Sequence, residues 1–339
     1  MQALPERVSV IGAGSWGTAL ACLLCRNFKQ VLLWGRDPKA MKSMERHRRN
    51  VAYLPDVPFP DNLGITATLS DTLNESASFV FAVPSHCFRS ILEAIYREIT
   101  QSGRLPHKST IIWGTKGFDP ENGHLLSKIC EEVFGEIRSG VISGPSFASE
   151  TARGMPTALT MACSSLDHAR DLARWFRTDF TRTYYSDDPV GVQLGGAIKN
   201  VMAIAAGISD GLGYGANARA ALITRGLSEL SRIGVGLGGR PETLMGLAGL
   251  GDLVLTCTTD QSRNRRFGIG IGQGKTISQV RAEISQEIEG INTAEILYRI
   301  ALREGIEIPI TDQVFRILHQ GAEPKHAVGA LLNRDPRAE

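Results

Sequence analysis

Apolar and polar positions change rhythm once along this chain. Up to about residue 188, short apolar runs recur: Val8 to Ile11, Val31 to Trp34, Phe79 to Val83, Thr110 to Trp113, Val141 to Ser143 and Thr157 to Met161. Most show no polar alternation, as expected of strands buried on both faces. Segments of helical length and period separate them, among them Thr18 to Asn27, Ser85 to Ile99 and His124 to Gly135. Strands alternating with helices predict a parallel, doubly wound sheet.

From Pro189 the strands give way to long helical patterns rich in Ala, Gly, Ile and Leu, beginning with VGVQLGGAIKNVMAIAAGISDGLG. The break falls in YYSDDPVG, where two aspartates and a proline interrupt the pattern. The division expected is an α/β domain over residues 1–189 and an all-helical domain over 190–339. No internal repeat is visible, and NRDPRAE at the end reads as a solvated tail.

The first strand runs into VSVIGAGSWGTALA, where Gly12, Gly14 and Gly17 form G-x-G-x-x-G between a strand and a helix. Glycine weakens both kinds of element, so three in this place need a reason. Gly12 permits a tight turn, Gly14 lets a pyrophosphate approach the backbone, and Gly17 lets the helix pack on the strand. The helix N-terminus then faces the phosphates with unpaired N–H groups. The N-terminal domain is accordingly expected to be a Rossmann-type dinucleotide fold. The second strand ends in Arg36 and then Asp37. A guanidinium there suits a 2′-phosphate, which favours NADP and leaves NAD open.

Composition narrows the remaining chemistry. The 339 residues carry 37 basic and 35 acidic side chains, a formal charge of +2, which gives no reason to expect nucleic acid or an anionic membrane as main partner. Six cysteines are too few for a disulfide scaffold; Cys22 and Cys25, at i, i+3 in an apolar helix, read as core thiols rather than a redox pair. No metal-binding spacing is seen. The N-terminus lacks a signal-peptide pattern and no apolar run is judged long enough to span a bilayer, so the cytoplasm is expected.

Ligands of open α/β sheets sit beyond the carboxyl ends of the strands. Lys116 in IIWGTKG, and Gly144, Ser146 and Ala148 in ISGPSFA, follow such ends. Lys199 stands among Gly195, Gly196, Ala197, Ile198, Val201 and Met202. Partial desolvation there would lower its pKa toward a value useful in proton transfer, although a lysine can also snorkel to water. Further on, GLGDLVLTCTTDQSRNRRFG carries Asp252, Ser262, Arg263 and Asn264. The plain reading of Arg263, Arg265 and Arg266 is a solvated basic face.

Together, GAGSWGTALA, ISGPSFASETARGMPTA, GAIKNVMAIAAGISDGLGYGANARAALITRG and GLGDLVLTCTTDQSRNRRFG resemble successive motifs of the biosynthetic, bacterial-type NAD(P)-dependent sn-glycerol-3-phosphate dehydrogenases. The resemblance runs from Val8 to about Gly290. It implies reversible reduction of dihydroxyacetone phosphate to sn-glycerol 3-phosphate for glycerophospholipid synthesis, by a homodimer. It implies that Lys199 is the acid/base, and that Lys116, Gly144, Ser146, Asp252, Ser262, Arg263 and Asn264 contact substrate. Lys116 and Asp252 are expected to orient Lys199 or the substrate. Ser15, Trp16, Arg36, Lys116, Ala148, Arg263 and Glu289 match cofactor contacts. Two other readings keep the glycine loop: a β-hydroxyacid dehydrogenase of the 6-phosphogluconate dehydrogenase kind, which leaves SRNRRFG unexplained, and a non-catalytic NAD(P)-sensing module, which does not need Lys199, Asp252 and Arg263 together.

Overall fold

A computed structural model describes residues 4–73, 77–284 and 286–333; all of the tail beyond Asn333 lies outside the described residues. The first half is built on strands β1 (Arg7–Ile11), β2 (Gln30–Trp34), β3 (Arg49–Asn50), β4 (Leu54–Pro58), β5 (Leu63–Thr66), β6 (Ser78–Phe81), β7 (Thr110–Trp113), β8 (Arg138–Ser143), β9 (Thr157–Ala162) and β10 (Thr181–Ser186). Helices α1 (Ser15–Leu24), α2 (Pro38–His47), α3 (Ser85–Gln101), α4 (Leu126–Phe134), α5 (Ala148–Ala152) and α6 (Leu166–Ala173) connect them. Eight strands form one sheet in the order β10-β9-β8-β7-β6-β1-β2-β5, and β3 with β4 makes a separate hairpin.

Six of these strands, in the order β5-β2-β1-β6-β7-β8, are parallel throughout, which is the dinucleotide-binding arrangement expected. The order reverses between β1 and β6, where Val10 faces Val80 and the Ala82 N–H donates to the Ile11 carbonyl at 2.8 Å. Ligands of such sheets enter at that crevice. Val10, Val31, Phe79, Phe81 and Ile112 are fully buried, which explains why these strands read as continuous apolar runs.

The parallel sheet expected is present, with one antiparallel pairing at its far end. β9 runs antiparallel to β8, with Val141 opposite Ala162, and β10 then pairs parallel with β9. Only the one-turn α5 separates β8 from β9, so no helix crosses a face to turn the strand round, whereas α6 makes that crossing before β10.

The second half is helical: α7 (Pro189–Gly211), α8 (Ala216–Gly236), α9 (Pro241–Leu244), α10 (Asp252–Thr258), α11 (Arg263–Gly272), α12 (Ile277–Ile284), α13 (Glu289–Glu304), α14 (Pro309–Gln320) and α15 (Pro324–Leu332). α7 is its axis, buried from Gly191 to Ser209. By length and composition α7 could cross a bilayer, contrary to the expectation that no run reaches that length; its apolar stretch is instead enclosed by the other helices. α7 and α11 meet backbone to backbone. A Cβ on Gly207 would stand 2.1 Å from the Arg265 carbonyl oxygen, and one on Gly268 2.2 Å from that of Ile204. No residue with a side chain fits at either crossing point.

Candidate active site

The glycine loop leaves β1 with Gly12 at φ +114°, a conformation that favours glycine, and its N–H donates to the Trp34 carbonyl at 2.9 Å. A Cβ on Gly17 would lie 1.8 Å from the Gly12 carbonyl oxygen, so α1 packs directly on the turn. Gly14 differs: its φ is −75° and, its two chain neighbours aside, no described residue comes within 4 Å of where its Cβ would stand. The fold does not demand glycine there, and the open space is the cradle that a pyrophosphate needs.

Ser15 and Trp16 open α1, and the Trp16 indole nitrogen is buried against Gly114, where a Cβ would stand 2.5 Å from it. Arg36 is exposed past the end of β2 and makes no hydrogen bond or ion pair among the described residues. Asp37 caps α2, accepting the Lys39 N–H at 2.9 Å. The guanidinium is therefore the free group at this strand end. Both Cys22 and Cys25 are buried free thiols pushed up by burial, to about 11 and about 12.

Lys116 lies past β7, and its Nζ donates to Asp252 Oδ2 at 2.5 Å. Lys199 on α7 donates to the other oxygen, Oδ1, at 2.6 Å, and to Thr256 Oγ1 at 2.9 Å. Lys199 is 7% exposed and Asp252 1%. Burial, with the Lys116 charge acting in the same direction, lowers the Lys199 pKa to about 7 against the opposing pull of Asp252. For Asp252 burial acts upward, but the two ammonium groups outweigh it and hold the carboxyl below its ordinary value. Lys199 does not snorkel; it ends in a closed cluster of two cations, one anion and a hydroxyl.

The loop after β8 adjoins this cluster. Gly144 has φ +138°, and its Cβ would meet the Ala158 carbonyl oxygen at 2.9 Å; Ser146 Oγ donates to the Gly144 carbonyl at 3.0 Å. Pro145 lies 3.6 Å from the Cβ position of Gly251, the residue before Asp252. Ala148 begins α5.

Ser262, Arg263 and Asn264 form the N-terminus of α11. Ser262 Oγ caps it, accepting the Arg265 N–H at 3.2 Å, which leaves the hydroxyl hydrogen available. Asn264 accepts the Gly290 N–H and donates one amide hydrogen to Asn200 Oδ1, both at 3.0 Å; the second amide hydrogen remains. Burial lowers the Arg263 pKa, and its hydrogen bond to Gln286 is long at 3.4 Å. The solvated basic face is corrected at Arg265, which is buried and pairs with Asp210 at 2.6 Å and with Asp260. Such a pair depends on a partner distant in sequence.

Glu289 opens α13 and reaches the other half of the molecule. Its carboxylate accepts the Ser85 N–H at 3.1 Å and the Ser85 hydroxyl at 2.8 Å, at the start of α3. Burial raises its pKa to about 7. A Cβ on Gly117, beside Lys116, would lie 3.3 Å from Glu289 Oε2. The lysine loop, α3 and α13 thus meet at one point. Sequence reasoning did not single out Thr256, Ser85 as partner of Glu289, or Asn50, which touches the glycine loop. Thr256 follows Asp252 by one helical turn, and that spacing was the available signal.

Residues 7–169 match the family described as NAD-dependent glycerol-3-phosphate dehydrogenase N-terminus, and residues 188–329 match the C-terminus of the same family. A protein of Thioalkalivibrio sulfidiphilus named as an NAD(P)+ glycerol-3-phosphate dehydrogenase is 51% identical over 335 residues, 98% of either chain. One of Methylococcus capsulatus with the same name is 48% identical over 334 residues, again 98% of either chain. The crystal structure of glycerol-3-phosphate dehydrogenase from Coxiella burnetii has a TM-score of 0.92 at 42% identity, covering 97% of this chain and 99% of that one.

Proposed function

The chain belongs to the family of NAD-dependent glycerol-3-phosphate dehydrogenases, and on that premise we propose how it reduces dihydroxyacetone phosphate to sn-glycerol 3-phosphate: Lys199 is its proton donor and acceptor. The observation that carries this assignment is the buried Lys199 ammonium, held between Asp252 and Thr256 with its pKa lowered to about 7. Such a group can give a proton near neutrality and take it back in the reverse direction.

NADPH or NADH, when bound, supplies the hydride that reaches C2 of the ketone. Negative charge then develops on the carbonyl oxygen. Lys199 Nζ stabilises that oxygen and passes it a proton, leaving a neutral amine beside Asp252. Asp252 fixes the direction of the Lys199 side chain, and Lys116 balances the carboxylate while keeping the Lys199 proton labile. Arg263, the Ser262 hydroxyl and the spare Asn264 amide hydrogen hold the substrate phosphate at the N-terminus of α11, where the helix dipole favours an anion. Binding of that unreactive end aligns the carbonyl. Gly144 and Ser146 close the site from the β8 loop.

Gly12, Gly14 and Gly17 with Ser15 and Trp16 carry the pyrophosphate, Arg36 takes the adenosine end and favours NADP over NAD, and Ala148 and Glu289 border the cofactor. We divide the chain between residues 189 and 190 into a dinucleotide domain and a helical substrate domain. A cytoplasmic homodimer serving glycerophospholipid synthesis completes the reading. A hydroxyacid dehydrogenase or a sensing module is disfavoured by relatives of one name matching the whole length. The test is a spectrophotometric assay of dihydroxyacetone phosphate with NADPH and NADH side by side. No oxidation of either nucleotide would sink the assignment; light scattering at a single chain mass would remove the dimer.

A further inference from the structure

We propose that Asn50 orients the peptide plane between Ala13 and Gly14 and is in this way a positioning residue of the dinucleotide loop. The inference rests on the reading of that loop as the cofactor's pyrophosphate site. Asn50 lies in β3, outside the main sheet, and is completely buried. Its amide nitrogen donates to the Ala13 carbonyl at 3.1 Å and to Thr18 Oγ1 at 2.8 Å. Its carbonyl oxygen accepts the Tyr53 N–H at 3.2 Å. The partners fix which end is which, because a backbone carbonyl only accepts and a backbone N–H only donates.

In a trans peptide the carbonyl and the following N–H point in opposite directions. Anchoring the Ala13 carbonyl on Asn50 therefore turns the Gly14 N–H away from the hairpin. Gly14 opposes rotation of this plane with no Cβ, and no described residue beyond its chain neighbours crowds it. Glycine spacing alone thus leaves the plane free to flip, and a flipped plane would offer a carbonyl oxygen where an anion requires a donor. The Thr18 contact ties the same amide to the first turn of α1, whose backbone begins at the loop: the Thr18 N–H donates to the Gly14 carbonyl at 3.0 Å. One side chain from the hairpin therefore holds both the loop and the helix behind it in register.

The test compares wild type, Asn50→Ala and Thr18→Val by NADPH fluorescence titration and by steady-state kinetics. Wild type that binds neither NADPH nor NADH would overturn the loop reading itself, independently of Asn50. With wild type binding, Asn50→Ala is expected to raise Kd and KM for NADPH about tenfold or more. KM for dihydroxyacetone phosphate and kcat, measured at saturating NADPH, should stay within about twofold. Thr18→Val, which removes one of the two anchors, should show the same split at about three- to fivefold. Unchanged NADPH affinity in folded Asn50→Ala overturns the proposal, as does an equal loss for both substrates. Should Asn50→Ala not fold, Thr18→Val decides. Failure of both to fold also overturns it, because Asn50 would then support the domain and not the loop.

Discussion

Lys199 and Asp252 stand on different helices and are joined by a buried hydrogen bond of 2.6 Å, while Lys116 from the sheet domain holds the carboxylate's other oxygen. The buried Lys199 ammonium is thus braced from both halves of the chain.

Lys199→Met keeps the length and apolar stem of the side chain but removes the proton. It should lower kcat by about 10²–10⁴-fold, with NADPH affinity near that of wild type. Near-native turnover, measured by NADPH oxidation, would take Lys199 out of the mechanism. Asp252→Asn leaves two ammonium groups without their counter-charge and should cost about 3 kcal/mol of unfolding free energy by denaturant titration.

The pH dependence has a definite sign. In the proposed mechanism reduction needs the Lys199 ammonium, and burial holds its pKa near 7 rather than 10.5. Reduction should therefore fall as pH rises through about 7, whereas oxidation of glycerol 3-phosphate, which needs the free amine, should fall as pH drops through the same point. A profile in kcat/KM that bends only near the ordinary lysine value would contradict the assignment.

Arg263→Ala should raise KM for dihydroxyacetone phosphate by about 10- to 100-fold, corresponding to the loss of a charge-assisted hydrogen bond. Arg263→Lys should recover part of it, since an ammonium lacks the bidentate fork. Unchanged KM in the alanine variant would move the phosphate elsewhere.

Arg36 is exposed at the end of β2, and the neighbouring carboxylate is engaged as a helix cap. Arg36→Ala should reduce the preference for NADPH over NADH by about tenfold in the ratio of kcat/KM values. An unaltered ratio would show that the 2′-position is read by another group.

Gly17→Ala places a methyl group 1.8 Å from the Gly12 carbonyl oxygen, an overlap only backbone movement can relieve. It should cost about 3 kcal/mol or more and raise KM for the cofactor, because α1 must move off the turn. A thermal unfolding midpoint equal to that of wild type would show that the loop yields more readily than its contacts indicate.

Much of this arrangement is local enough to be legible in sequence. The apolar runs of β1, β2, β6 and β7 are buried on both faces, and Gly12, Gly14 and Gly17 carry their context with them. β10 was not legible, because its TRTYYS run sits at the sheet edge with Tyr184 and Tyr185 exposed and lacks the apolar signature. The direction of β9 depended on the short connection before it, not on its own residues. Lys199 and Asp252 were each visible, and motif resemblance set their roles. Their hydrogen bond, the union of Glu289 with Ser85 and the burial of Arg265 against Asp210 are long-range facts, written in no single stretch.

The crossing of α7 and α11 through Gly207 and Gly268 fixes how far apart Lys199 and Arg263 are carried. On the proposed roles, one helix bears the amine that protonates the substrate and the other the guanidinium that grips its phosphate, so the closeness of their axes would gauge how many carbons can lie between the two. A bulkier residue at the crossing would lengthen that gauge, and the enzyme would mismeasure a three-carbon ketone before it lost any group that touches one.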